Sequence, residues 1–174
     1  MLTTVKIEQL SSVEYCLDGL SELLSKVVND GASIGFLPPI NDSDAAAYWK
    51  STLAPDVLLF AAKVNQQIAG SVQLHLCAKQ NGRHRAEIAK LMVHPDFRRQ
   101  GIARLLMQQA EEKAVQEGRS LLVLDTREGD PSNRLYASTG YIQAGRIPDF
   151  AESATGEYDA TIFYYKCLFK KNAF

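Results

Sequence analysis

The chain has 174 residues, 46% of them apolar and 22% charged, a composition that excludes a disordered or low-complexity protein. Its formal net charge of -1 argues against a nucleic-acid or anionic-membrane binder, which carries a basic excess, so any anion site has to be local. No apolar run is long enough to cross a bilayer, and the opening MLTTVKIEQLSS lacks a signal-peptide pattern. Cys16, Cys77 and Cys167 are odd in number and scattered, which predicts reduced thiols in one cytoplasmic domain over residues 1–174.

In chain order, Val5 and Ile7 predict a short opening strand. Ser11 and Glu14 read as a capping box, after which Val13, Leu17, Leu20, Leu24, Val27 and Val28 share one helical face up to Asp30-Gly31. GASIGFLPPI is a loop, broken by Gly31, Gly35 and Pro38-Pro39. Asn41, Asp42 and Ser43 can cap a second helix through Ala45, Tyr48, Trp49 and Leu53, stopped by Pro55. Residues 57–64 and 67–77 are β-rich runs separated by Asn65-Gln66, an antiparallel hairpin. A polar loop around Asn81-Gly82 leads to a strand over 86–93, closed by Pro95, and then to a helix from about Gly101 to Glu117 that Gly118 stops. Residues 120–124 form an apolar central strand ending at Asp125, and Pro131 opens a short helix to Ser138, terminated by Gly140. Strands over 141–147 and 161–168 complete a mixed α/β (α+β) sheet with packed helices.

VHPDFRRQGIARLL, residues 93–106, is the informative stretch. It joins a strand to a helix, and a helix start offers unpaired N–H groups and the positive end of a dipole to a phosphate. Gly101 permits close backbone approach, Ala103 keeps the first turn open, and Arg98, Arg99 and Arg104 add charge; as plain solvated loop cations the arginines need no ligand. The phosphate-loop pattern ending in Gly-Lys-Ser/Thr is absent, and one glycine does not make a dinucleotide fingerprint. His75, His84 and His94 have no metal-ligand spacing, so no metal is expected.

Arg98, Gly101 and Ala103 meet the Gln/Arg-x-x-Gly-x-Gly/Ala pattern, after a strand LMV and a Val-x-Pro, and in this the chain resembles the GCN5-related N-acetyltransferases (GNAT). Within that superfamily GASIGF, NGRHRAEIAKLMV, LDTREG and TIFYYK resemble the tabtoxin-resistance acetyltransferase group. The resemblance implies the GNAT fold, a mostly antiparallel six- to seven-stranded sheet with a V-shaped splay between two central parallel strands and helices on both faces. It implies acetyl-CoA as co-substrate, its pyrophosphate on the backbone of Arg99, Gln100, Gly101, Ile102, Ala103 and Arg104, and its pantetheine arm beside Leu91, Met92 and Val93.

An ammonium with a pKa of about 10 cannot attack a thioester until a base removes its proton. The resemblance assigns Glu87 to that role; otherwise Glu87 is an exposed strand residue paired with Arg85 or Lys90. Asp125, at the carboxyl end of the next strand, is a second carboxylate for the same cleft, or a cap. Tyr136 stands where the family places a general acid for the leaving thiolate, and the amide of Met92 or Val93 is the oxyanion donor. Where many members carry an asparagine seven residues before that tyrosine, this chain has Gly129. Ser33 and Phe36, with Asp149, Glu157 and Asp159, are candidate contacts for a small amine, and Cys77 is a remote candidate for a covalent acetyl carrier. The expected partners are acetyl-CoA and that amine, without nucleic acid or membrane, for a monomer or homodimer. The rivals are a non-catalytic acyl-CoA sensor on the same fold and an ATP-binding module.

Overall fold

The computed structural model describes residues 4–169. Its elements run β1 (Val5–Leu10), α1 (Leu17–Asn29), α2 (Asp42–Lys50), β2 (Val57–Val64), β3 (Gln67–Leu76), β4 (Arg85–Val93), α3 (Ile102–Gln116), β5 (Leu121–Arg127), α4 (Ser132–Ser138), β6 (Ile142–Glu152) and β7 (Tyr158–Cys167). The sheet order is β1-β2-β3-β4-β5-β7-β6. β4 and β5 are parallel and their neighbours pair antiparallel, which is the GNAT arrangement the sequence implied.

β2 shows why the sheet is covered on both sides. Its side chains alternate faces: Leu59 and Ala61 join the apolar cluster of α1 and α2, with Leu20, Leu24, Val27 and Trp49, while Phe60, Ala62 and Val64 join Ile102, Leu106, Ala110 and Ala114 of α3. A strand buried on both faces has no polar alternation, hence the run LLFAA. The indole N–H of Trp49 donates to the Leu20 carbonyl at 2.7 Å, which fixes α2 on α1 without leaving a buried donor orphaned.

Several boundaries differ from expectation, and α2 ends at Lys50 rather than running through Leu53. The Ser11/Glu14 capping box does not form at α1: a short 3-10 turn, Glu14–Cys16, precedes the helix, and the Glu14 amide donates to Ser12 Oγ at 3.3 Å. Asn41, in contrast, caps α2 by accepting from the Asp44 amide at 2.8 Å. β5 continues beyond Asp125 to Arg127 because β7 supplies partners that far, pairing Asp125 with Phe163 and Arg127 with Thr161. β6 extends to Glu152 through two register shifts, and β7 starts at Tyr158, so the loop holding Gly156 shrinks to a turn.

Candidate active site

The cleft originates in β4. Along β5 its pairing covers only Arg85↔Leu121, Ala86↔Leu122 and Glu87↔Val123, and beyond Glu87 the two parallel strands part. Against β3 the register jumps from Ser71↔Met92 to Gln73↔Ala89, so Lys90 and Leu91 together oppose Val72, and Lys90 sits at φ 53. Such a bulge bends and twists the strand, here turning it away from β5. Gly70 permits the bend: a Cβ there would lie 2.6 Å from the Met92 carbonyl oxygen.

The parted strands enclose a cavity of about 380 Å3 lined, among others, by Ser33, Glu87, Lys90, Leu91, Asp125 and Tyr136. Glu87, Asp125 and Tyr136 therefore share one cavity, brought from β4, β5 and α4. A larger groove of about 680 Å3, between the start of α1, the β2–β3 turn and His94, is lined by none of the three. Among the described residues Glu87 makes no ion pair with Arg85 or Lys90 and no side-chain hydrogen bond, and its carboxylate is exposed to the cavity side of the strand. Asp125 Oδ2 accepts from Thr161 Oγ1 at 2.9 Å.

Tyr136 is 5% exposed, with the rings of Tyr141 and Tyr164 each at 5.8 Å. Among the described residues its hydroxyl has no protein partner. Burial first, and the negative charges of Asp125 and Asp130 next, push its pKa well above the ordinary phenol value, so Tyr136 is a neutral donor at any physiological pH. The same desolvation raises the basicity of a thiolate formed beside it, so proton transfer to sulfur is not forbidden by that shift.

The candidate phosphate loop follows the end of β4 that has left β5. Arg99 at φ 63 and Gly101 at φ 79 turn the chain into α3, and among the described residues the amides of residues 99–104 donate to no protein acceptor. The Gly101 position has open space around it, Ile102 is buried in the α3 core, and Arg99 and Gln100 are exposed. Arg98 donates to Asp30 Oδ2 at 2.6 Å, tying this loop to the residue before the GASIGF segment. Arg104 donates to Ser138 Oγ at 2.9 Å at the end of α4. Leu91 lines the cavity; the Met92 side chain is buried towards α1 and α2, and Val93 pairs with Gly70, so these two can serve a ligand through main chain. An open, cationic helix start with a free row of amides fits a diphosphate.

Other placements depart from expectation. Phe36 does not line the cavity; it packs edge-on against Tyr48 at 5.0 Å, with the Lys90 ammonium 5.7 Å from its ring centre. Asp159 lines the cavity, whereas Asp149 and Glu157 do not. Cys77 lies outside it and accepts from Arg85 at 3.5 Å. Asn133 closes the β5–α4 turn, its amide donating to the carbonyls of Arg127 and Asp130 and its oxygen accepting from Tyr164, while Gly129 in that turn sits at φ 85. Lys90 and Arg127 are cavity residues that sequence reasoning passed over. Lys90 Nζ donates to the Ile34 carbonyl at 2.6 Å, and Arg127 Nη2 donates to the Gly31 carbonyl at 3.1 Å. One cation from each parted strand thus holds the same loop across the mouth of the V. Burial lowers the pKa of Lys90, opposed by Asp125 and Glu87. An extended strand gives no local signal for a bulge, so nothing in AEIAKLMV marks Lys90 as inward.

Residues 26–141 match the acetyltransferase (GNAT) family profile, a stretch that includes β4, the phosphate loop, β5 and Tyr136. The chain belongs to the GNAT acetyltransferase family. A relative from Azospirillum brasilense, described as an uncharacterized N-acetyltransferase in the hisH-hisA intergenic region, is 32% identical over 131 residues, 73% of this chain and 78% of its own. Two solved structures share the GNAT fold. A Salmonella typhimurium protein solved with its cofactor acetyl-CoA superposes with a TM-score of 0.81 at 17% identity over 98% of each chain. An N-acetyltransferase from Staphylococcus aureus Mu50 superposes at 0.82 and 15% identity over 95% of this chain and 99% of its own. By family this GNAT protein is an N-acetyltransferase.

Proposed function

We propose that this GNAT enzyme transfers the acetyl group of acetyl-CoA to the amine of a small molecule by direct attack in a ternary complex. The observation that carries the reading is the coincidence of the parted β4 and β5, the three chemically matched side chains Glu87, Asp125 and Tyr136 in the cavity between them, and a free row of amides at the α3 start. The diphosphate would rest on residues 99–104, with Arg98, Arg99 and Arg104 screening its charge. The acyl arm would lie along the β4 edge that β5 has vacated, at Leu91, Met92 and Val93, and the amide of Met92 or Val93 would face the developing oxyanion. Glu87 and Asp125, alone or through a water, take the ammonium proton so that a lone pair is free to attack. The amine nitrogen forms its bond to the thioester carbon, the C–S bond breaks, and Tyr136 donates to the departing sulfur.

The likeness of GASIGF, NGRHRAEIAKLMV, LDTREG and TIFYYK to the tabtoxin-resistance group supports a role in inactivating a toxin, antibiotic or metabolite amine in the cytoplasm, as a monomer or homodimer. Thiol release from acetyl-CoA across an amine library tests the reading. Acceptor-dependent release supports it, whereas thioester binding with no release for any amine would leave an acyl-CoA sensor.

A further inference from the structure

Resting on the acetyl transfer proposed above, the charge inventory of the cavity speaks to the acceptor. Four carboxylates, Glu87, Asp125, Asp130 and Asp159, line it against two cations, Lys90 and Arg127. Arg127 is engaged on every side, and Lys90 is tied to one backbone carbonyl. Arg127 uses all three nitrogens within the protein: Nε donates to Asp130 at 3.0 Å, Nη2 to the Gly31 carbonyl at 3.1 Å, and Nη1 lies 3.5 Å from Asp159. Lys90 donates to Ile34, and a further anion reaching its ammonium would meet the fields of Glu87 and Asp125. His75, opposite Glu87 in the sheet, is held below its ordinary pKa by burial and bonds to Gln73, so it adds no cation at neutral pH.

The anionic side is open. Glu87 has no partner among the described residues, and of Asp125 only Oδ2 is engaged within the protein. Tyr136, 5% exposed and lining the same cavity, leaves its hydroxyl without a protein partner. One carboxylate suffices to deprotonate the reacting amine, which leaves a second to face whatever else the acceptor carries. A carboxylate on the acceptor would find only Lys90, whose charge already answers to Glu87 and Asp125, and would otherwise be desolvated against like charge, a penalty that disfavours it.

We infer that the acceptor carries a second ammonium beyond the one that is acetylated, and no carboxylate beside it: a compound of the di- or polyamine type rather than an amino acid. At neutral pH that second ammonium keeps its charge, its pKa being about 10, and it fills the anionic wall while the first amine reacts.

Three probes of one chain length decide it: 1,4-diaminobutane, butylamine and 4-aminobutanoate, which differ only in whether the far end is cationic, neutral or anionic. With acetyl-CoA saturating, kcat/KM for the diamine is expected to exceed that for butylamine by about tenfold or more, and 4-aminobutanoate to fall below butylamine by a similar factor. Asp159→Asn, which releases one guanidinium nitrogen of Arg127, raises the ratio of 4-aminobutanoate to butylamine. Equal or better use of 4-aminobutanoate by the natural protein overturns the inference. So does transfer to butylamine with none to the diamine. Calorimetry showing no binding of acetyl-CoA at all would instead overturn the acetyl-transfer reading beneath it.

Discussion

Tyr136→Phe separates chemistry from folding because of where the hydroxyl sits. The ring is wedged between Tyr141 and Tyr164, each 5.8 Å away, and the substitution keeps that packing. The oxygen removed has no protein partner among the described residues, so no hydrogen bond is broken and no buried group is orphaned. Stability should therefore change by less than about 0.5 kcal/mol, within the range of neutral substitutions. As a general acid the hydroxyl is expected to contribute about 10²-fold to turnover, equivalent to about 2.7 kcal/mol of barrier. The assay is steady-state thiol release with calorimetric titration of acetyl-CoA and a thermal melt on the same samples. The expected result is kcat lowered about 10²-fold with affinity and Tm unchanged. Turnover within about threefold of the natural protein would remove Tyr136 from the chemistry, since background proton transfer from water would then serve the thiolate as well.

Gly70→Ala places a Cβ 2.6 Å from the Met92 carbonyl oxygen and 3.1 Å from Leu106 Cδ1, so β4 or α3 has to move. A cost of about 1–3 kcal/mol follows, read as a fall in Tm with a weaker calorimetric response to acetyl-CoA. Lys90→Met cuts the tie to Ile34 but also removes a charge that burial disfavours, so Tm should shift by only ~2 °C or less, while KM for the amine rises about tenfold as the loop over 31–36 loosens. Burial raises the phenol pKa of Tyr136, Tyr141 and Tyr164 in the folded protein, whereas the unfolded chain ionises near the ordinary value of about 10. The folded state binds more protons above that value, so the stability these groups contribute is intact below about pH 10 and is lost as pH rises further. Urea midpoints should hold from neutral pH to about pH 9 and then drop, less steeply in Tyr136→Phe; an equal slope in both proteins would contradict the linkage.

Local chemistry settled much of this protein. Periodicity placed α1 and α3, the Asn65-Gln66 break placed the β2–β3 hairpin, and the Arg98, Gly101 and Ala103 spacing marked the α3 start, because each depends on residues a few positions apart. The family resemblance names Glu87 and Tyr136, and the end of an apolar strand names Asp125, but that they share one cavity depends on strand pairings among β4, β5 and β7, which no local pattern records. The extension of β5 past Asp125 belongs with these, since a partner strand outweighs the polar composition of Asp-Thr-Arg. So does the bulge that gives Lys90 its φ of 53 and the bridging of Lys90 and Arg127 to one loop. Alternation along a strand assigns each lysine a face, and a bulge resets that assignment. Only when β4 peels from β5, with Gly70 allowing the close approach, does the Lys90 ammonium acquire a carbonyl to hold and two carboxylates to face.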